Sequence, residues 1–347
     1  MLKKGIYPRV SVVILNWNGW ADTIECLESL YQINYPNYDV VLVDNDSTDD
    51  SIKEIKKYCN GQLDVKSKYI DFETRNKPIK IIELIEEEAK IIKPPDYPII
   101  DKSGPTKILN LIINHYNYGF AKGNNTGIDY ALTIFNPDYI LLLNNDTIVD
   151  SDFMLELVLT GESNDKIGFV GAKTYFYNNE NLLQAAGGGD VDFKHGIVNE
   201  LASNKKDNGD YDIYMELDYI GGACLLCKRE VISTIGSLDS NFFMYWEDVN
   251  WCLNGSIYGY KSVYSYKSKI WHKYGASSHS HFKIYYLNRN RIYTIKKYAS
   301  RNDYIYFLIY FFLYRFWFEI LDYLLNQRNL KSCKCLIKGA FDGLRGP

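Results

Sequence analysis

No charge of one sign dominates this chain. Its 347 residues carry 39 Lys and Arg against 43 Asp and Glu, a net charge of −4. A surface built to grip a polyanion is not implied, and nucleic acid is not an expected partner. Cysteine is sparse and irregular: seven residues, an odd number, do not make a disulfide framework and suit a reducing compartment. Cys224 and Cys227 have metal-ligand spacing, but no second CxxC pair accompanies them. They sit in an apolar run, so a buried strand is expected there. No GxGxxG follows the first β-rich run, which removes the usual dinucleotide-binding reading. No secretory leader is expected, because the apolar run after the first lysines is short and broken by polar residues. The uncharged stretch before Arg315 is too short to span a bilayer.

What is present begins with residues 139–146, YILLLNND. An apolar run of strand length ends in Asn144, Asn145 and Asp146. Oxygen ligands at a buried strand end can hold a hard divalent cation against a phosphate, although Asn and Asp also make ordinary turns. Residues 10–20, VSVVILNWNGW, read as a strand broken at Asn16 and Trp17, with a helix over 21–31. Residues 39–51, DVVLVDNDSTDDS, deliver Asp44 and Asn45 to a second strand end, and 47–50 read as a helix N-cap region. Two successive β-α units imply a parallel sheet with ligands at its carboxyl ends. In 242–272, Glu247 and Asp248 follow the aromatic Phe243, Tyr245 and Trp246, where burial can raise a carboxyl pKa. The same two acids would also suit a helix N-terminus. His272 closes this segment. The 31 tyrosines suit saccharide-stacking surfaces, as compositional bias would also produce.

Together these segments resemble glycosyltransferase family 2, the inverting nucleotide-sugar transferases of the GT-A fold. The motifs NYGFAKGNNTGI (117–128) and GGACLLCKREV (221–231) add to the likeness, which is nearest to a rhamnosyltransferase-like branch. The resemblance implies an α/β fold, a mostly parallel central sheet flanked by helices. It implies a GT-A domain over 8–298, with a donor half (8–150) and an acceptor half (151–298). It implies a nucleotide-sugar donor, a saccharide or lipid-linked acceptor, and a divalent cation, Mn²⁺ or Mg²⁺. Asp146 and His272 would ligate that cation. Asp44 would accept from the imide N–H of uracil or thymine. Asn16, Trp17, Asn45, Asn125, Asn144 and Asn145 would contact the donor. Gly221, Gly222 and Trp246 would lie on the acceptor side, with 187–189 in a loop of that half. Asp248 would be the general base, with Glu247 as its competitor.

Two regions lie outside this pattern. Residues 59–106 are too long for a simple crossover, and 65–72 and 78–85 read as an inserted hairpin around 73–77. The tail, 299–347, reads as two helices. Arg315, Glu319 and Asp322 share one stripe, and Lys331, Lys334 and Lys338 share another. A helix pair in a membrane interface, on the cytoplasmic side, is expected; packing on the domain is its competitor. A nucleotidyltransferase and an idle glycan-binding scaffold are the alternative functions. The first would need a Gly- and Lys-rich phosphate loop, and the second would tolerate loss of the acids.

Overall fold

The computed structural model describes residues 7–94, 107–273 and 281–346. The expected insertion therefore falls partly, at 95–106, outside the described residues. The chain starts with two β-α units: β1 (Val10–Asn16), α1 (Trp20–Leu30), β2 (Tyr38–Asp44) and α2 (Ser51–Cys59). Val12 and Ile14 share one core with Ile24, Leu27 and Leu30, while Val13 faces a second core with Ile128 and Ala131. Cover on both faces is why these strands are apolar throughout.

The expected hairpin does not form. Residues 65–72 contain no strand, and β3 (Lys80–Ile85) pairs in parallel with β4 (Ile108–Ile113) at the sheet edge. Parallel strands need a crossover, which includes α3 (Glu86–Ile91). Residues 73 and 77 are drawn to α1 by the buried Glu28 carboxylate. It accepts hydrogen bonds from Lys77 Nζ and Tyr58 OH, both at 2.8 Å, and from the Glu73 amide at 2.9 Å.

The sheet continues through α4 (Gly119–Phe135), β5 (Tyr139–Asn144), β6 (Thr147–Val149) and α5 (Phe153–Gly161) to β7 (Ile167–Phe176) and β8 (Asn179–Ala186). A small sheet follows, formed by β9 (Gly188–Asp192), β10 (Ile197–Glu200) and, after β11 (Lys205–Lys206) and β12 (Met215–Leu217), β13 (Tyr219–Ile220). Next come β14 (Cys224–Lys228), α6 (Arg229–Ile235), α7 (Glu247–Ile257), β15 (Lys261–His272) and α8 (His281–Tyr298). The main order is β11-β8-β7-β14-β5-β1-β2-β4-β3, with β15 and its partners alongside β7. Its β5-β1-β2-β4-β3 half is parallel, whereas β14 runs antiparallel to both β5 and β7. Cys224 and Cys227 lie buried in β14, as expected, and burial raises both thiols well above their ordinary range.

The tail is helical: α9 (Arg301–Tyr310), a π-helical turn (Phe311–Arg315), α10 (Phe316–Leu321), a second π turn (Asp322–Asn326) and α11 (Leu330–Arg345). Phe307, Phe311, Phe316, Ile320 and Leu336 extend the main core. Gly339 and Gly343 let α11 approach α8 closely. A Cβ there would meet the carbonyl oxygens of Tyr285 and Arg289 at 2.5 and 2.6 Å.

Candidate active site

Strand register gathers the polar strand ends. Asn16 lies opposite Asp44, and Leu15 lies opposite Asn144. The carboxyl ends of β1, β2 and β5 thus share one edge, where ligands of open α/β sheets bind. Yet Asp44 turns inward. Its carboxylate has no exposed surface and accepts from Asn16 Nδ2 (2.7 Å), Ser47 Oγ (2.7 Å) and the Ser47 amide (2.9 Å). Asn16 also accepts from Thr23 Oγ1 at 2.8 Å, and Asn145 Nδ2 donates to that hydroxyl at 3.0 Å. The carboxylate expected to accept from a base is, in the structure, the centre of a hydrogen-bonded network. Asn45 is likewise internal: its amide joins Asn114, Asn117 and the Gly119 carbonyl, fastening β2 to the start of α4. Trp17 is more than half exposed at the same edge.

Residues 119–127 form the first half of α4. Cβ atoms at Gly123 and Gly127 would strike Leu15 and Val13 at 2.8 and 2.6 Å, so these glycines let α4 sit on the sheet. Asn125 is committed elsewhere. Its amide donates to the Leu238 carbonyl (2.7 Å) and accepts from the Leu238 amide (3.1 Å).

Asp146 and His272, expected as metal ligands, lie side by side. β15 runs twelve residues, longer than its mixed sequence suggests, and a register shift between Ser265 and Lys269 carries it along β7. Its last residue, His272, pairs with Thr147, which brings His272 Nε2 to 3.0 Å from Asp146 Oδ1. Burial alone would raise the Asp146 carboxyl, but the hydrogen bond and charge of His272 hold it below its ordinary value. Asn144 Nδ2 lies 3.5 Å from the same imidazole nitrogen. On the far side of the ring, Nδ1 donates to Gln184 Oε1 at 2.9 Å. That bond orients the ring, so that Nε2 would be placed to ligate a metal taking the place of its proton. A carboxylate and an oriented imidazole in contact fit a hard divalent cation. Among the described residues, no group of three or more His, Cys, Asp and Glu side chains converges. Phosphate oxygens and water would complete its coordination.

The second pole is the start of α7. Tyr245 and Trp246 take consecutive left-handed backbone angles, φ 68° and 72°. For bulky side chains this costs on the order of 1–3 kcal/mol each. Asn290 of α8 holds the turn, donating from Nδ2 to the carbonyls of Met244 and Tyr245 at 2.9 and 2.8 Å. Trp246 is buried in the core, so it offers no open stacking face to an acceptor. The turn delivers Glu247 and Asp248 to the helix N-terminus. Asp248 is partly exposed and accepts from the amides of Gly222 and Val249, both at 2.8 Å. Burial raises its carboxyl above the ordinary value, and those amides offset part of the rise. Glu247 is buried, and its Oε2 has no hydrogen-bond partner. Burial first, then the charge of Asp248, push Glu247 far above the ordinary range.

Glu200, at the end of β10, links the poles and was not singled out by its sequence. It pairs with Gly189 across the small sheet, and Gly189 pairs in turn with Tyr219 of β13. Residues 188–189 are therefore strand rather than the expected loop; only Gly187, with φ 80°, turns there. Gly221 and Gly222 follow β13, and Gly221 N binds the Gly187 carbonyl at 2.9 Å. Although Glu200 touches solvent, crowding desolvates and raises its carboxyl; Asp248 raises it further, and His272 lowers it. Asp248 and His272 thus both lie near enough to Glu200 to act on its charge. Glu200, Gln184 and Asn290 carry no local signal, because tertiary packing alone gives them these positions.

A sequence model of the family described as Glycosyltransferase like family 2 matches residues 8–294. The chain belongs to that family. It is 22% identical over 174 residues to the low-salt glycan biosynthesis hexosyltransferase Agl10 of Haloferax volcanii, covering 45% of this chain and 52% of that protein. It thus spans about half the length of that relative. Over 189 residues it is 25% identical to the rhamnosyltransferase WbbL of Escherichia coli K12, covering 48% of this chain and 68% of WbbL. The mannosyltransferase PcManGT of Pyrobaculum calidifontis, solved with GDP-Man and Mn²⁺, superposes with a TM-score of 0.56. Identity there is 14%, over 98% of this chain and 88% of the other. That likeness establishes the GT-A fold for this family 2 member.

Proposed function

We propose that this family 2 member transfers a hexosyl or deoxyhexosyl group, with inversion, from a UDP- or dTDP-sugar to a saccharide or lipid-linked hydroxyl. Seven free cysteines suit a cytoplasmic reaction. The observation carrying this reading is that Glu200 stands within electrostatic reach both of His272, paired with Asp146, and of the raised, partly exposed Asp248. A raised carboxylate is a stronger base near neutral pH. Asp248 takes the proton of the acceptor hydroxyl as its oxygen bonds to C1 of the sugar. The bond from C1 to the phosphate oxygen breaks, and its electrons leave with the diphosphate. Asp146 and His272 would hold a cation that stabilises this leaving charge. Glu247 lacks the exposure needed to meet an acceptor, which supports the choice of Asp248.

The test is donor hydrolysis and transfer with a panel of UDP-, dTDP- and GDP-sugars in Mn²⁺ or Mg²⁺. Activity with a pyrimidine-nucleotide sugar, abolished by EDTA and restored by Mn²⁺, is expected. Asp146→Ala should prevent that restoration, and His272→Ala should impair it less. Full activity in EDTA would reject the metal-assisted route. A preference for a purine nucleotide would reject the donor class.

A further inference from the structure

The tail helix is amphipathic in the reverse sense. On an ordinary surface helix the charged stripe faces water and the apolar stripe faces the core. Here the charges turn inward. Glu319 accepts from Arg315 at 2.8 Å and lies 3.9 Å from the buried Arg291 of α8. Between residues 303 and 325, every exposed side chain is aliphatic or aromatic. Trp317, Phe318, Tyr314 and Leu325 are between 56% and 73% exposed.

The spacing of this face is regular. Ile305, Ile309, Leu313, Trp317, Leu321 and Leu325 recur every fourth residue, and all six are exposed. In a pure α-helix each step of four drifts by about 40°, roughly 200° over the row, which would carry it around the helix. The two π turns, at Phe311–Arg315 and Asp322–Asn326, take more residues per turn and counter that drift. They keep one apolar row on one side.

The following helix adds charge. On α11, Lys331, Lys334 and Lys338 are exposed together with Leu330, Ile337 and Phe341. Its opposite side meets the tail helix at Cys333 and Ile320 within the common core. Asp342, the single acid of α11, is engaged by Tyr285 OH at 2.8 Å. Together the two helices therefore expose apolar and basic side chains.

We propose that this face lies in the interfacial layer of an anionic lipid bilayer, with the tail helix along the membrane rather than across it. Glu319 of its polar stripe is paired with Arg291 of the domain, so lipid cannot surround the helix there. Aromatic and aliphatic groups would enter the acyl boundary, and the lysines would meet anionic headgroups. A second copy is the poorer occupant, because a two-fold contact would oppose these lysines to themselves.

The test is flotation of the full chain with phosphatidylglycerol-containing vesicles and with pure phosphatidylcholine vesicles. Flotation with the anionic vesicles, weakened by salt, is expected. Trp317→Ser with Phe318→Ser changes only exposed groups and should reduce bound protein by tenfold or more, with unfolding temperature retained. Lys331→Gln, Lys334→Gln and Lys338→Gln together should reduce binding to anionic vesicles about tenfold or more. Failure to float with either vesicle overturns the proposal, as does undiminished binding by the Trp317 and Phe318 variant. A dimer in sedimentation equilibrium that these variants dissociate, without vesicle binding, would assign the face to self-association. Flotation does not read sugar transfer, so its failure leaves the proposed reaction standing.

Discussion

Asp44 and Glu247 are both buried carboxylic acids, yet they occupy opposite electrostatic situations. The Asp44 carboxylate takes three hydrogen bonds within a closed network of Asn16, Ser47 and Thr23. Glu247 has an orphan oxygen, a charged neighbour, and a strained turn immediately before it. A satisfied carboxylate supports architecture, whereas an unsatisfied acidic pair supplies a shifted proton affinity. The polar end of β2 is thus internally satisfied, whereas the start of α7 is not.

The contrast is broken most forcefully at Asp248. Asp248→Asn should lower single-turnover transfer roughly 10²-fold or more at saturating donor, with donor affinity little changed. Glu247→Gln should be milder; the reverse ranking would exchange their roles. Because the Asp248 carboxyl is raised, wild-type transfer should decline with acidification at a higher pH than an ordinary carboxylate would dictate.

Asn290→Ala removes the clamp on the Tyr245–Trp246 turn. Transfer should fall by roughly tenfold to 10²-fold through misplacement of the acids, with KM for donor nearly unchanged. If unfolding temperature drops and kcat does not, the clamp serves stability alone.

Asp44→Ala leaves Asn16 Nδ2 and the Ser47 groups without their acceptor. Unfolding free energy should fall by roughly 1–3 kcal/mol, measured by urea denaturation. Donor affinity should weaken through the disturbed strand edge. Weaker UDP or dTDP binding at unchanged stability would show instead that Asp44 reaches the base.

The smallest effect concerns Glu247 and pH. Its raised carboxyl means the folded state holds the proton more tightly than the unfolded state. Stability from this group is therefore lost as pH rises from about 4.3 through the raised value. Glu247→Gln lacks that loss, so its unfolding temperature should gain on the wild type as pH rises above the ordinary carboxyl range. A constant difference would show that Glu247 is not raised.

Much of the fold is legible in the sequence because burial on both faces demands unbroken apolar runs at β1, β2 and β5. Their polar terminators mark the working edge directly. The 65–72 segment misleads because its β-favouring residues are local, while the Glu28 hub beside it is tertiary. β3 reads as half of a hairpin because its partner, β4, is separated from it by the crossover. Spacing alone cannot join Asp146 to His272; family resemblance supplies that pairing, and β15 supplies its cause. Asn45 and Asn125 are expected as ligand contacts and engage protein groups in the structure, since amides serve ligands and backbones equally well. The inward charge stripe of the tail is visible as periodicity, but its direction depends on Arg291 of another helix.

That direction has a practical result for where the chain can be shortened. Phe307, Phe311, Phe316 and Leu336 fill the same interior as the sheet, and α11 covers α8, the helix that carries Asn290. Cutting near residue 299 would therefore flay the enzyme rather than free it. The exposed apolar side must be edited one residue at a time, leaving its inner half in place.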